Sequence, residues 1–236
     1  VKNPPPGIAI ANGNVLTATD TLGGVTSYTY DNVGRMLTMT DPMGNVTSYT
    51  YDAMGNVLTV TDPMGLTTTY TYNALNQVAS VTDPGNHTTG YAYNAAGNVT
   101  VITDALGHTV KFGYDAAGQM TSMTDANGGV TRYAYDKLGR VVSVTDANGN
   151  KTTFAYDNEG RQTSETDALN YTSSKTYDAV GNILTETDKN GNTWTYTYDA
   201  DYRMTSSTDP LGNTTTYTYD ANGNVLSETS PMGSTT

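Results

Sequence analysis

The carboxylates carry most of this chain's capacity for chemistry, and they are evenly spaced. Tyr-Asp occurs at Asp31, Asp52, Asp115, Asp136, Asp157, Asp178, Asp199 and Asp220, with Asn73 and Asn94 filling the remaining positions of that series. Thr-Asp occurs at Asp20, Asp41, Asp62, Asp83, Asp104, Asp125, Asp146, Asp167, Asp188 and Asp209, with Ser230 in the next position. Within each series every interval is 21 residues. Rows of carboxylates could hold calcium, which takes several oxygen ligands at once. The spacing argues against it. On a strand-turn-strand repeat the two series fall on opposite edges, and like aspartates recur two strand spacings apart, ~9.6 Å. One ion does not span that distance without ligands from another layer, so no metal site is assigned.

The other reactive side chains also lack partners. Glu165, Glu186 and Glu228 share one slot of the repeat, where earlier units carry Val60 and Val81. Carboxylates ~10 Å apart approach the upper limit for an inverting glycosidase pair, but nothing else in the sequence supports hydrolysis. The change from apolar to charged marks a strand face that becomes wet or meets a neighbour. His87 and His108 share a slot just after a turn and read as exposed loop histidines; a zinc pair would need closer approach and further ligands. A Ser-His-Asp arrangement would have to use one of these two. Cysteine is absent, which excludes disulfides and thiolate metal sites. No phosphate-cradling glycine loop precedes a helix. The chain reads as non-enzymatic, with no catalytic, metal or cofactor residue.

The aspartates have a structural use instead. Asp at the first position of a type I turn accepts backbone hydrogen bonds, Pro at the second presets φ, and Gly at the fourth takes the left-handed conformation. Asp41-Pro42-Met43-Gly44, Asp62-Pro63-Met64-Gly65 and Asp209-Pro210-Leu211-Gly212 match that pattern residue for residue. Such a turn followed by a left-handed residue makes a three-residue hairpin loop. Where glycine is missing, Asn76, Asn86 and Asn170 replace it, and asparagine tolerates that conformation well. Tyr202 does not fit, and a distorted turn is expected there.

Between turns lie runs with period-two alternation, such as Asn56 to Asp62 and Thr67 to Tyr72. The chain has 45 Thr and 19 Tyr against 2 Phe and 1 Trp, and Thr and Tyr suit a pleated, half-buried surface. The fold class is all-β, with 21-residue repeats forming an antiparallel hairpin ribbon that curls or spirals. Because 21 is odd, the facing of side chains must reverse once per unit. One three-residue loop and one even loop per unit would do this, unless a regular bulge intervenes. With the three-residue loop at Thr-Asp, Leu58 and Val60 would share a face with Tyr70 and Tyr72, opposite Val57, Thr59, Thr61, Thr69 and Thr71. A meander is expected rather than a parallel solenoid, which would stack like-charged Asp directly.

The net charge of −12 argues against nucleic acid. Most of it belongs to the turns, since 18 of 19 Asp lie in the two series. No run approaches a membrane span. Aromatic rows offer a possible surface for sugars, with Tyr49, Tyr70, Tyr91, Tyr133, Tyr196 and Tyr217 as the glycan-contact candidates. The Thr-x-Thr face is similar to flat ice-binding arrays, although a curled meander would not be flat.

The units "YTYDAMGNVLTVTDPMGLTTTYTY" and "RYAYDKLGRVVSVTDANGNKTTFAYDNEGR", with their recurring Y-D-x-x-G-[NR], resemble the YD repeats of the RHS family. That family includes bacterial polymorphic toxins, cocoon components of insecticidal ABC toxins, wall-associated proteins and teneurins. The resemblance implies a ribbon spiralling into a hollow shell, which in toxin members encloses a toxic domain. It also implies a secreted or cell-surface bacterial protein, with the enclosed passenger and flanking shell repeats as partners. Some members self-cleave beside a D-P-x-G motif. Asp62-Pro63-Met64-Gly65 is similar, but it occupies an ordinary turn slot. Residues 1–12, with Pro4-Pro5-Pro6, read as a lead-in or linker, and 13–236 as about ten repeat units of a longer chain. The targeting signal is expected outside this stretch. The alternative is an extracellular rod, fibre or adhesion module that binds glycans or self-associates.

Overall fold

The computed structural model describes residues 7–236. These residues form twenty-two β-strands and no helix, from β1 (Ile8–Ala11) to β22 (Val225–Thr229) in chain order. The chain divides into two compact units, Val1–Gly113 and Tyr114–Thr236. Within the first, each strand from β1 to β11 (Thr109–Tyr114) pairs antiparallel with its chain neighbours. Within the second, the strands from β12 (Met120–Thr124) to β22 do the same. Both units are meanders, as the turn chemistry requires. The expected lead-in, residues 1–12, contains β1, which is hydrogen-bonded to β2 (Asn14–Thr19); Pro4, Pro5 and Pro6 lie outside the described residues.

β5 (Val46–Tyr51), β6 (Val57–Thr61) and β7 (Thr67–Tyr72) show the logic of one repeat. At the Thr-Asp turn, Asp62 N–H donates to the Leu66 carbonyl and Gly65 N–H to the Asp62 carbonyl, both at 2.9 Å. At the Tyr-Asp turn, Asp52 N–H donates to Asn56 O at 2.9 Å and Gly55 N–H to Asp52 O at 3.2 Å. Both loops therefore have three residues, and the expected even loop does not exist. A regular bulge reverses the facing instead. Thr50 stands opposite Thr59 and Tyr51 opposite Val57, which leaves Leu58 as the extra residue. The same shift recurs at the other Tyr-Asp hairpins described, for example between Thr71 and Tyr72 and between Ala134 and Tyr135.

The bulge corrects the assignment of faces. Opposed residues share a face, so Val60 lies with Tyr49 and Thr68, and Val57 lies with Tyr51. Simple alternation would put Val57 among the threonines and Leu58 with the tyrosines. The unpaired leucine slot is instead partly solvated, with Leu37 and Leu184 each 37% exposed and Leu226 64%. The other face is a hydroxyl ladder: Thr50 and Thr59 hydroxyls lie 2.6 Å apart, and those of Thr61 and Thr67 2.8 Å apart. Among the described residues no hydrophobic side chain is fully buried. Each unit is one sheet with a half-buried tyrosine face.

Tyr202 also corrects an expectation. Its φ is +63°, its N–H donates to Asp199 O at 3.1 Å, and Asp199 N–H donates to Arg203 O at 3.0 Å. The turn is regular, held by the hydrogen bonds around Asp199, and the strain stays in one residue. Asn76, Asn86 and Asn170 take φ of 60°, 64° and 65°, as expected.

Candidate functional site

The turn aspartates accept the backbone N–H groups of their own loops, and many are clamped by a side chain as well. The Oδ1 of Asp52 accepts the N–H groups of Met54 and Asn56, both at 2.9 Å, and its Oδ2 accepts the Asn56 amide at 2.8 Å. The side-chain bond from Asn56, with the backbone donors behind it, holds this carboxyl below the usual carboxylate range. Asp41 is lowered in the same way by the side chain and N–H of Asn45. His87 and His108 occupy the same clamping slot: their Nδ1 atoms lie 3.0 Å from Asp83 Oδ2 and 2.8 Å from Asp104 Oδ2. Both rings are exposed, with side chains 71% and 57% accessible. Asp62, the residue similar to a cleavage aspartate, bonds the N–H groups of Met64 and Leu66 like its counterparts.

Arginine fills that slot at four Tyr-Asp turns and reaches further. Arg35 Nε donates to Asp31 Oδ2 at 2.6 Å and its Nη1 to the carbonyl of Asp52, in the next repeat, at 2.7 Å. Its guanidinium stacks 5.0 Å from the centroid of the Tyr51 ring. Arg140, Arg161 and Arg203 repeat the stack on Tyr156, Tyr177 and Tyr219. This role escaped the sequence reading, although the fixed interval of four residues between Asp and Arg was visible.

The two tyrosine slots of the repeat differ chemically. In the second slot, the Tyr72 hydroxyl donates to the Val57 carbonyl at 2.8 Å, and Tyr51, Tyr93, Tyr135, Tyr156 and Tyr198 do likewise fifteen residues back. The acceptor lies where the bulge interrupts the ladder. Burial raises the Tyr51, Tyr72, Tyr135 and Tyr198 hydroxyls above their ordinary pKa. The glycan-contact candidates Tyr49, Tyr70, Tyr91, Tyr133, Tyr196 and Tyr217 all fall in the first slot, as does Tyr28, which the sequence reading leaves out. They lie on one face within their units, and their hydroxyls make no protein hydrogen bond among the described residues.

One stretch of that face is polar. In the second unit, Lys175 stands in the first tyrosine slot, opposite Glu186, which in turn stands opposite Trp194. Lys175 Nζ lies 3.0 Å from Glu186 Oε1, and Lys189 Nζ lies 3.0 Å from Glu165 Oε1 and 3.4 Å from Asp167 Oδ2. The hydrogen bond to Glu186 raises the Lys175 pKa, and that to Glu165 raises the pKa of Lys189. The slot change at Glu165 and Glu186 was legible in the sequence; the answering lysines were not. No cluster of three or more histidine or acidic side chains able to hold a metal occurs among the described residues.

These features define a class: tandem β-hairpin repeats whose turns are aspartate-clamped and whose repeats are stitched by tyrosine hydroxyls. The sequence profile of the teneurin YD-shell family matches residues 14–194, and that of the RHS repeat matches 177–214 and 203–235. The chain belongs to this YD-shell family. A comparison with curated protein sequences returns no match. Among solved structures, a crystal structure of TcdB2-TccC3-Cdc42 is similar with a TM-score of 0.53 and 19% identity, over 93% of this chain and 16% of that one. A Tc holotoxin pore from Photorhabdus luminescens gives 0.52 and 18%, over 95% of this chain and 16% of that one. At such identity the likeness concerns the fold. The chain spans about a sixth of the length of those chains.

Proposed function

We propose that this chain is a length of wall in a hollow protein shell, secreted or displayed at a bacterial surface, that encloses a passenger polypeptide such as a toxin domain. The observation that carries this reading is the single-layer sheet, in which no hydrophobic side chain is fully buried among the described residues. A sheet built this way does not fold around a core of its own; it presents a tyrosine-rich face, and Tyr tolerates a surface that is not fully dry. The role is mechanical, with the wall confining the passenger away from solvent, and it needs no reactive centre. Residues 13–236 would all serve as wall, with flanking repeats completing the enclosure.

Electron microscopy of the chain assembled with the flanking repeats and passenger that this reading requires tests it. Closed hollow particles, with passenger density inside and a passenger resistant to protease until the shell is opened, are the expected result. Solid rods or filaments that lengthen with concentration would overturn it.

A further inference from the structure

We infer that Asn12, in the loop joining β1 to β2, is a site of spontaneous deamidation through a cyclic imide closed on Gly13. The other Asn-Gly pairs of the chain are held back by their turns. The inference concerns one hairpin and stands independently of the shell reading.

Asparagine before glycine is open to this reaction because glycine has no side chain to obstruct attack by its own nitrogen. The chain has five such pairs: Asn12-Gly13, Asn127-Gly128, Asn148-Gly149, Asn190-Gly191 and Asn222-Gly223. All five asparagines are exposed, so access to water does not separate them. Hydrogen bonding does. The N–H groups of Gly128, Gly149 and Gly191 donate to the carbonyls of Asp125, Asp146 and Asp188 at 3.0 Å, and that of Gly223 to Asp220 O at 3.1 Å. The N–H of each of these asparagines is held as well, by Oδ1 of the same aspartate at 2.8 to 2.9 Å. In the four aspartate turns the nitrogen that must attack is therefore already engaged. Asn12-Gly13 is instead a two-residue loop between the paired Ala11 and Asn14. The Gly13 N–H has no protein partner among the described residues. The loop is also open on that side, since a Cβ added at Gly13 would meet nothing within 4 Å.

Backbone conformation separates the pairs further. Asn12 and Gly13 have φ of 53° and 85°, as a type I′ hairpin loop requires. An imide ring ties Cβ and the glycine nitrogen into one plane, which sets ψ at roughly −120°, the value at the first central residue of a type II′ turn. That position also needs positive φ, which Asn12 already has. A flip of the peptide between Asn12 and Gly13, which glycine permits, carries the loop to the imide geometry with β1 and β2 still paired. The four turn asparagines have no positive φ, so closure there requires the turn to open first. In the reaction the Gly13 nitrogen gives its proton to hydroxide and its electron pair forms a bond to Asn12 Cγ. The Cγ–Nδ2 bond breaks and ammonia leaves. Water then opens either imide carbonyl, giving aspartate or isoaspartate. Isoaspartate adds one methylene to the backbone of the loop and disturbs the pairing of Ala11 with Asn14.

Peptide mapping by mass spectrometry tests the assignment. The full chain is kept in mildly alkaline buffer, and each Asn-Gly peptide is followed for the loss of ammonia in the imide and for the acid formed on hydrolysis. In the folded chain Asn12 should convert about tenfold faster than any of the other four, the factor expected from one hydrogen bond at the attacking nitrogen. The same chain in concentrated urea loses its turns, and there all five pairs should convert at similar rates. Equal rates at Asn12 and the four turn asparagines in the folded chain would overturn the assignment. So would an Asn12 that stays intact in the folded chain while it reacts in urea.

Discussion

The two margins of the sheet carry the same turn but differ in how far its side chains reach. At the Thr-Asp margin the residue after the loop clamps its own aspartate: Asn45 bonds Asp41, and His87 bonds Asp83. At six turns of the Tyr-Asp margin the equivalent residue reaches the next repeat. Arg35 bonds the carbonyl of Asp52, Asn56 bonds Asn76 at 3.0 Å, and Gln77 bonds the carbonyl of Gly97 at 3.3 Å. The bulge and the second tyrosine lie on this side, with the Tyr72 hydroxyl on Val57 O. Turn formation is therefore local at both margins, while cohesion between repeats is concentrated at one. A one-layer repeat sheet gains most of its stability from neighbouring repeats, so the Tyr-Asp margin should govern how the array melts.

The largest expected effect comes from pH, because it acts on all these tyrosines together. Tyr51, Tyr72, Tyr135 and Tyr198 have raised pKa values caused chiefly by burial. A raised pKa means that the neutral form is favoured on folding. That stability is complete below the unfolded value of 10.0 and is lost as pH rises through the folded values. Strand circular dichroism should hold to about pH 9 and collapse cooperatively above about pH 10. The aspartates give the opposite limit: lowered values at Asp41 and Asp52 contribute stability that fades as pH falls below 3.8. A sheet that keeps its strands at about pH 12 would remove the tyrosine margin from the account.

The two tyrosine slots sharpen the comparison in urea. Tyr72→Ala removes ring packing and the hydroxyl bond, for about 2–3 kcal/mol. Tyr72→Phe removes only the bond, leaving the Val57 carbonyl short of a donor, for about 1 kcal/mol. Tyr70→Phe, in the first slot, should stay within about 0.5 kcal/mol. Equal losses at Tyr70 and Tyr72 would erase the distinction between slots.

Glycine substitutions then ask whether the turns themselves are alike. Gly55 and Gly65 have φ of +93° and +80°, and an added Cβ would meet nothing within 4 Å at either. The cost of alanine is then backbone strain alone, about 1 kcal/mol at each margin. A much greater loss for Gly55→Ala would place part of the difference between margins inside the turn.

Much of this architecture was readable from spacing. Two aspartate series at a fixed interval specify the turns, the meander and the asparagines at positive φ, because those depend on a few adjacent residues. The reversal of facing was also readable as a necessity. Its means was not, because an even loop and a bulge satisfy the same parity, and the bulge at Leu58 leaves no mark in composition. The hydroxyl of Tyr72 and the guanidinium of Arg35 act fifteen and seventeen residues away, across a register that the bulge sets. Long-range roles of this kind follow only once pairing is fixed. The first-slot tyrosines do share one face within each unit.

Tyr202 gives the smallest and most local test of the Tyr-Asp margin. Its slot holds glycine or asparagine in the other hairpins, yet its φ of +63° and the bonds around Asp199 match theirs. An L-residue with a bulky side chain loses about 1–2 kcal/mol in this conformation. Tyr202 is 59% exposed, so little packing offsets that strain. What holds the turn is the neighbouring clamp: Arg203 Nε lies 2.7 Å from Asp199 Oδ2, and its Nη1 reaches the Asp220 carbonyl at 3.2 Å. Tyr202→Gly should therefore stabilise the protein, by somewhat less than the strain because glycine is freer when unfolded, for a net gain of about 1 kcal/mol. Tyr202→Asn should recover part of that gain. If the clamp is what enforces the strained residue, Arg203→Ala should lose more stability in the parent chain than in the Tyr202→Gly background. A double-mutant cycle in urea would read that coupling directly. Additive losses would mean that the turn holds its shape without help from the margin.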